Sequence, residues 1–169
     1  MVSCGLAFSD RLEISIDGCE GSDTDGVATF IKYFGVELER NMPYLNGNGS
    51  CPIDTKIAIS KTGYMRPRLR DFRRVDFDNV SEELKEGPLL AVIYILENME
   101  DYSGGIFAET SCNDDMAHFV VLVSEGIEDG VEWFGLRNSW GSDYGENGVI
   151  RLAKNRHCFD EFVKLDVEF

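Results

Sequence analysis

The sequence predicts an α+β fold in which a small helical and loop-rich region precedes an antiparallel β-barrel or curled sheet. Two observations carry this prediction. One amphipathic helical pattern lies in the first third of the chain, and strand-like segments fill the part after about residue 72. Several of these segments are apolar on both faces, as expected where a sheet curls on itself. A chain of 169 residues can form one domain, or two small lobes that share an interface.

The helical pattern lies at residues 22–34, SDTDGVATFIKYF. Ser22 or Asp23 can cap the first turn, and Gly35 can end the helix. The apolar residues fall on one face at helical spacing: Val27, Phe30, Ile31 and Phe34.

Two charged segments follow the helix. The first is an island of positive charge in an acidic chain, which we interpret as a solvated strand and loop that offsets the surrounding acids: Lys56, Lys61, Arg66, Arg68, Arg70, Arg73 and Arg74. The second, SEELKEG at 81–87, predicts a short helix with Ser81 as its N-cap. Its acidic residues lie in the first turn, where the helix dipole favours them.

The strand-like segments come after these charged segments. They are LLAVIYIL (89–96), HFVVLVSEG (118–126), VEWFGLRNSW (131–140), VIRLAK (149–154) and FVKLDVEF (162–169). The EDG sequence at 128–130 predicts the turn of a β-hairpin. The sequence therefore predicts a helical region over residues 1–72 and a β-barrel over residues 73–169.

Composition excludes several classes of protein. A net charge of −15 argues against a nucleic-acid partner and against an anionic membrane surface. The longest apolar run, residues 89–96, is too short to span a bilayer. Charged residues near the start interrupt any signal-peptide core, so none is predicted: Asp10, Arg11 and Glu13. Five cysteines without a CxxC pair are not typical of a zinc site, so we expect no metal and no cofactor. Their wide spacing fits long-range disulfides and an oxidising compartment.

The chain has two histidines, which lie in different settings. His118 lies in the apolar run MAHFVVLV and must be hydrogen-bonded or exposed at the strand end, whereas His157 lies in a polar bend and is expected on the surface. Across the hairpin, Asn138 can place its amide oxygen against an imidazole N–H of His118. Such a bond fixes the ring's tautomer, as an orienting residue does for a general base. Trp140 can cover the pair and exclude water.

These segments resemble the papain-like cysteine peptidases. The resemblance rests on two groups of motifs: GCEG (18–21), MPY (42–44) and Cys51 in the first part, and YSGGIF (102–107), SCNDDMAHFVVLV (111–123) and LRNSWGSDYGENGVIRL (136–152) in the second. It implies a papain-like α+β fold, with a reduced helical lobe at 1–72 packed on an antiparallel β-barrel lobe at 73–169. It also implies a cysteine-type endopeptidase in which His118 is the general base, Asn138 its orienting residue and Trp140 the shield.

The resemblance also implies disulfides, partners and location. It pairs Cys112 with Cys158, a bridge that contributes roughly 3–4 kcal/mol on the chain-entropy model. The partner of Cys51 stays open, because Ile16 lies near the place of the family's matching cysteine. We expect a peptide or protein substrate, or an inhibitor, in the cleft between the lobes. We further expect a monomer in a lysosome, a vacuole or the extracellular space.

The nucleophile is the weak point of the resemblance. The family has Cys-Gly-Ser-Cys-Trp-Ala-Phe there, whereas this chain has CGLAFS from Cys4 onward. Three superpositions stay open. Cys4 matches a disulfide cysteine whose partner is Cys19, or it is the nucleophile with Gly5 inserted after it, or residues 1–7 are unassigned.

Three features argue against a working enzyme. Cys19 follows Cys4 too soon for the family's long central helix. No residue before Cys4 supplies the family's oxyanion-hole glutamine, a loss that costs roughly 3–4 kcal/mol of transition-state stabilisation. Ser22 replaces a family glycine where the substrate backbone lies close, which weakens peptide docking, and Tyr144 replaces a family tryptophan, which is a milder change. We therefore expect a peptidase that is impaired or inactive. The alternatives are a catalytically silent binding or decoy protein and a truncated gene product, with Met1 not the true start.

Overall fold

The computed structural model describes residues 21–36, 40, 43, 67–108 and 111–168. It divides the chain into two compact units, residues 1–72 together with 166–169, and residues 73–165. The assignment of residues 1–72 and 73–169 to a helical and a barrel lobe stays a prediction. The predictions for Cys4, Cys19 and Cys51 lie outside the described residues, as do three residues of the positive island, Lys56, Lys61 and Arg66.

In the first unit, helix α1 covers Thr24–Phe34. Asp23 caps it, because a side-chain oxygen accepts a hydrogen bond from the Gly26 N–H at 2.6 Å. The helix ends at Gly35, whose φ of 69° is easily reached only by glycine. Of the four residues predicted to form the buried face, two are buried and two are half-buried: Phe30 and Phe34, then Val27 and Ile31.

Strand β1, Arg68–Arg74, is the described part of the positive island. Its exposed arginines have acidic partners within each unit. Arg70 lies 3.4 Å from Asp166, and Arg74 pairs with Glu161. Exposed ion pairs of this kind contribute little stability, so their main effect is to offset the acidic surface.

In the second unit, helix α2 covers Val80–Lys85 and follows a 3₁₀ turn at Phe77–Asn79. The prediction that Ser81 caps this helix is wrong. The 3₁₀ turn starts the helical path earlier, so Asn79 takes the cap position and Ser81 lies within the first turn. The Ser81 hydroxyl instead donates a hydrogen bond to Glu125 at 2.6 Å.

The remaining strands form one sheet with β1. They are β2 (Leu89–Leu96), β3 (Ile106–Phe107), β4 (Cys112–Glu128), β5 (Val131–Arg137), β6 (Val149–Ala153) and β7 (Phe159–Glu168). The strand order is β1-β7-β2-β4-β5-β6-β3. β2, β4, β5 and β6 pair antiparallel in that order, and the short β3 pairs parallel with β6. The hairpin turn between β4 and β5 lies at Asp129 and Gly130, which both have positive φ, as predicted for EDG.

The core of the second unit lies where this sheet curls. Three successive residues of β2, Ala91–Ile93, are each at most 3 % exposed, so both faces of the strand are covered. A cluster of phenylalanine rings fills one side, with centroids between 5.2 and 5.9 Å apart: Phe77, Phe134, Phe159 and Phe162. This core holds β4 and β5 in fixed register, and these strands carry the site described below.

Neither α1 nor α2, the helices of the described chain, is long and apolar enough to cross a membrane.

Candidate active site

His118 lies on β4, directly after an irregularity in the β2–β4 ladder. Ile93 pairs with His118 and Tyr94 with Ala117, but the next residue, Ile95, pairs with Asn113. Extra residues of β4 therefore bulge out immediately before the histidine. The histidine itself sits in regular pairing, half-buried.

A disulfide anchors the start of β4 on the other side of this bulge. Cys112, the first residue of β4, is bonded to Cys158, with the two Cα atoms 5.6 Å apart. Cys158 is fully buried in the turn before β7. The bulge is thus held between a covalent bridge and the paired strand that contains His118.

Asn138 follows directly after β5 and is 8 % exposed. Its backbone N–H donates to the carbonyl of Gly148 at 2.9 Å. Asn147 and Gly148 both have positive φ, and this turn brings the chain back against Asn138 before β6 begins. The position of Asn138 is therefore fixed by strand pairing on one side and a tight turn on the other.

The two side chains meet across the hairpin. The Nε2 atom of His118 lies 2.8 Å from the Oδ1 atom of Asn138. The same Oδ1 accepts a hydrogen bond from the Ser139 backbone N–H at 2.8 Å. An amide oxygen can only accept, so Nε2 of His118 carries the proton of this bond. In the neutral ring, Nδ1 is then the nitrogen with a free lone pair, which is the state a general base requires.

Trp140 lies against the histidine ring. The two ring centroids are 5.3 Å apart with an interplanar angle of 33°. The tryptophan is 42 % exposed, so it covers the imidazole while its own outer surface faces solvent. Tyr144 packs edge-on against Trp140, with centroids 4.9 Å apart.

Tyr144 contributes a buried hydroxyl behind this aromatic pair. The hydroxyl donates to the Met99 carbonyl at 2.9 Å. Burial raises the pKa of Tyr144 to about 12, and the neighbouring Asn138 amide opposes that rise. Within the described part of the chain, Nδ2 of Asn138 is buried without a partner in hydrogen-bond geometry. Such an unpaired donor costs about 1–3 kcal/mol.

The structure thus brings together three of the predicted site residues, His118, Asn138 and Trp140. His157 is exposed in the turn before β7. Sequence reasoning missed the Tyr144 hydroxyl and the Met99 carbonyl as parts of the site. The only signal was the tyrosine in SDYG, because Met99 lies in a 3₁₀ turn with no sequence link to the hairpin.

The residues that the structure describes contain no cluster of His, Cys, Asp or Glu able to hold a metal ion.

Solved structures define the class of fold. The chain superposes on the bromelain protease of Ananas comosus, solved with the E64 inhibitor, with a TM-score of 0.70 and 22% identity, covering 90% of this chain and 73% of that one. It superposes on digestive procathepsin L 3 of Tenebrio molitor with a TM-score of 0.76 and 22% identity, covering 97% and 53%. The fold is therefore papain-like α+β, as predicted.

Sequence comparisons identify the family. The model of the papain family cysteine proteases matches residues 1–163. A cathepsin L-like proteinase of Phaedon cochleariae is 31% identical over 163 residues, which cover 92% of this chain and 45% of that protein. Fruit bromelain of Ananas comosus is 31% identical over 153 residues, covering 88% and 42%. The chain belongs to the papain family of cysteine proteases, and it spans less than half the length of these relatives.

Proposed function

We propose that the second unit carries the base half of a papain-type cysteine peptidase site, with His118 as general base and Asn138 as its orienting residue. The observation that supports this is the 2.8 Å contact between Nε2 of His118 and an amide oxygen that also accepts the Ser139 N–H. The amide fixes the Nε2–H tautomer and leaves Nδ1 to take a proton. Trp140 limits the access of water to this bond.

The proposed reaction moves one proton through Nδ1 of His118. A thiol gives its proton to Nδ1, and the thiolate attacks the carbonyl carbon of a peptide bond. The imidazolium then protonates the leaving amine, and the C–N bond breaks to leave a thioester. A water molecule gives a proton to Nδ1 and attacks the thioester, which releases the carboxylic acid and returns the proton to sulfur. Asn138 holds the Nε2–H throughout and stabilises the transient positive charge.

We further propose that this chain performs the reaction poorly or not at all. The described cysteines, Cys112 and Cys158, are bonded to each other and cannot attack a substrate. Cys4 lies in CGLAFS, which lacks the Ser-Cys-Trp of the family's nucleophile segment. Cys4 would then not provide His118 with an activated thiol.

The proposed ligands are peptides, protein substrates or peptide-like inhibitors. Family membership supports this class, as does the likeness to a bromelain that is bound to E64. The disulfide and the cathepsin-like relatives support a lysosomal, vacuolar or extracellular setting. We propose that the chain acts as a monomer.

A second candidate function is a catalytically silent binding protein. The altered sequence around Cys4 favours it, because loss of the nucleophile abolishes chemistry and leaves surfaces for peptide binding in place. The two candidates differ in whether Cys4 reacts.

Covalent labelling tests these proposals. Purified protein is incubated with E64 or a peptidyl vinyl sulfone and then analysed by intact mass and peptide mapping. We expect no adduct, and no release of fluorophore from peptide substrates. Calorimetry with an uncleaved peptide then distinguishes a silent binder, which gives a binding isotherm, from an impaired enzyme without affinity.

The variant His118→Ala is the control for labelling. An adduct at Cys4 that disappears in His118→Ala would contradict impairment and support the base role of His118. An adduct at Cys4 that persists at the same rate in this variant would contradict the base role itself.

A further inference from the structure

We propose that Tyr144 is a positioning residue for Asn138: its hydroxyl oxygen accepts a hydrogen bond from Nδ2 and so keeps Oδ1 turned toward His118. This inference rests on the proposed role of His118 as the base. It assigns to the chain a hydrogen-bonded series that runs from the Met99 carbonyl through Tyr144 and Asn138 to the imidazole.

The argument starts from the two ends of the Asn138 amide. The Oδ1 end accepts twice, from His118 and from the Ser139 N–H. The Nδ2 end meets no partner in hydrogen-bond geometry within the described residues, although the residue is only 8 % exposed. A buried donor of this kind requires an acceptor close by. The missing partner of Nδ2 is therefore a hydrogen-bond acceptor.

Tyr144 supplies an acceptor of this kind. Its hydroxyl proton is already used by the Met99 carbonyl, at 2.9 Å, so the oxygen lone pairs are left to accept. The Asn138 amide counteracts the rise in the Tyr144 pKa, as a donor directed at the phenolic oxygen does. Burial of both side chains keeps water from taking either place.

The backbone holds the two residues in reach of each other through one glycine. The Gly148 N–H donates to the Tyr144 carbonyl at 2.7 Å, and the Gly148 carbonyl accepts from the Asn138 N–H at 2.9 Å. The Tyr144 ring is flanked by Trp140 and by Tyr102, with centroids 4.9 and 6.0 Å away.

The identity of the residue matters. The residue in this role must donate to the Met99 carbonyl and accept from Nδ2 with the same polar group. An indole N–H donates but has no acceptor for an amide, whereas a phenol has both functions. The positioning role therefore requires the phenolic hydroxyl of Tyr144.

Nuclear magnetic resonance tests the inference without any catalytic turnover. Long-range ¹H–¹⁵N correlation reports the tautomer of His118, and solvent exchange reports the protection of the Asn138 Nδ2 protons. In Tyr144→Phe we expect these protons to exchange about tenfold faster, the equivalent of one lost hydrogen bond. We also expect the Nε2–H tautomer of His118 to lose population.

Tyr102→Phe is the matched control. It also removes a hydroxyl that donates to a backbone carbonyl, that of Gly105 at 2.6 Å, from a ring next to Tyr144. We expect it to leave the His118 tautomer and the Asn138 protons unchanged. Unchanged signals in folded Tyr144→Phe would overturn the inference, as would equal changes in both variants.

The unsubstituted protein provides a second measurement in case Tyr144→Phe does not fold. Nuclear Overhauser contacts between the Asn138 Nδ2 protons and the Tyr144 ring protons are expected, together with slow exchange of one Nδ2 proton. Absence of both would overturn the inference. These readouts do not depend on Cys4, so failure of peptide hydrolysis or labelling would count against the proposed function alone.

Discussion

The two ends of strand β4 carry polar groups of opposite character. Near its start, His118 contacts the uncharged side-chain amide of Asn138. Near its end, Glu125 and Glu128 form ion pairs with basic side chains. Glu125 bonds Lys154 and Ser81 at 2.8 and 2.6 Å. Glu128 bonds Arg151 at 2.8 Å, and Arg151 also makes three contacts of 2.8–3.1 Å with Glu146.

This contrast between the two ends of β4 distinguishes a polar group that is available for chemistry from one that stabilises the fold. At the end of β4, the carboxylates of Glu125 and Glu128 are paired with basic side chains of the same unit. These carboxylates are therefore less available to bind a ligand. The start holds the His118 ring through the Asn138 amide and the Trp140 ring, which are both uncharged. We expect substitutions at the end to alter stability, and substitutions at the start to alter the chemistry of His118.

The largest expected effect comes from the disulfide that anchors the start of β4. Replacing Cys112 and Cys158 together by serine should lower the free energy of unfolding by about 4 kcal/mol, the chain-entropy value for a loop of this length. Urea denaturation measures this loss. Hydrogen exchange should rise more at the start of β4 than at Glu125–Glu128. Reduction of the natural protein should give the same pattern, and an even rise along the strand would contradict local anchoring.

The next effect concerns Lys154, whose side chain is 15 % exposed and whose ammonium lies 2.8 Å from Glu125. Lys154→Met should lower the free energy of unfolding by about 1–3 kcal/mol, because the half-buried carboxylate loses its charged donor. The double variant with Glu125→Gln should recover part of this loss in the urea midpoint. Lys85→Met, which removes an exposed ion pair with Glu82, is the control and should barely move the midpoint. Equal losses in both lysine variants would contradict the distinction.

A smaller effect appears in acid. The hydrogen bond from Arg151 is the main cause that lowers the pKa of Glu146 below 4.5, and the hydrogen bond from the Gly105 N–H acts in the same direction. A lowered folded-state pKa gives stability that is complete above the unfolded value and lost as pH falls through the folded value. The urea midpoint should therefore fall below about pH 4.5. Glu146→Gln should remove part of this slope. Asn138→Ala serves as the comparison from the other end of β4, and should leave the slope intact because the amide does not titrate.

Much of the sheet was predictable, because local pattern and long-range packing agree there. Residues 89–96 form β2 as predicted, since an apolar run of this length between Gly87 and polar residues is too short for a typical helix and favours a buried strand. β4 instead begins at Cys112 rather than at His118. Its polar first residues carry no strand signal, and pairing with β2 and the disulfide imposes the extended form.

The candidate site was likewise predictable only in part. The contact between His118 and Asn138 was predictable because a hairpin brings residues on neighbouring strands together at a known spacing. The link from Tyr144 to Met99 was not, because it joins two turns that are far apart in sequence and meet only in the folded core. The Ser81 cap failed for a related reason, since the preceding 3₁₀ turn shifted the helix start.

The smallest change in stability, and the sharpest contrast between the two ends of β4, is expected from two tryptophans outside this strand that pack near its ends. Trp140 covers His118 and is 42 % exposed, so Trp140→Phe should change the free energy of unfolding by no more than about 0.5 kcal/mol. The smaller ring should nevertheless admit water to the bond between His118 and Asn138. Exchange of the Nε2 proton of His118 with solvent should therefore become faster. The broadening of its resonance with rising temperature measures this exchange. Trp133 lies at the other end of β4, with Arg151 5.3 Å above its ring, so Trp133→Phe should leave this proton unchanged. If both substitutions changed it equally, the cover over the imidazole would be a property of the whole sheet rather than of Trp140.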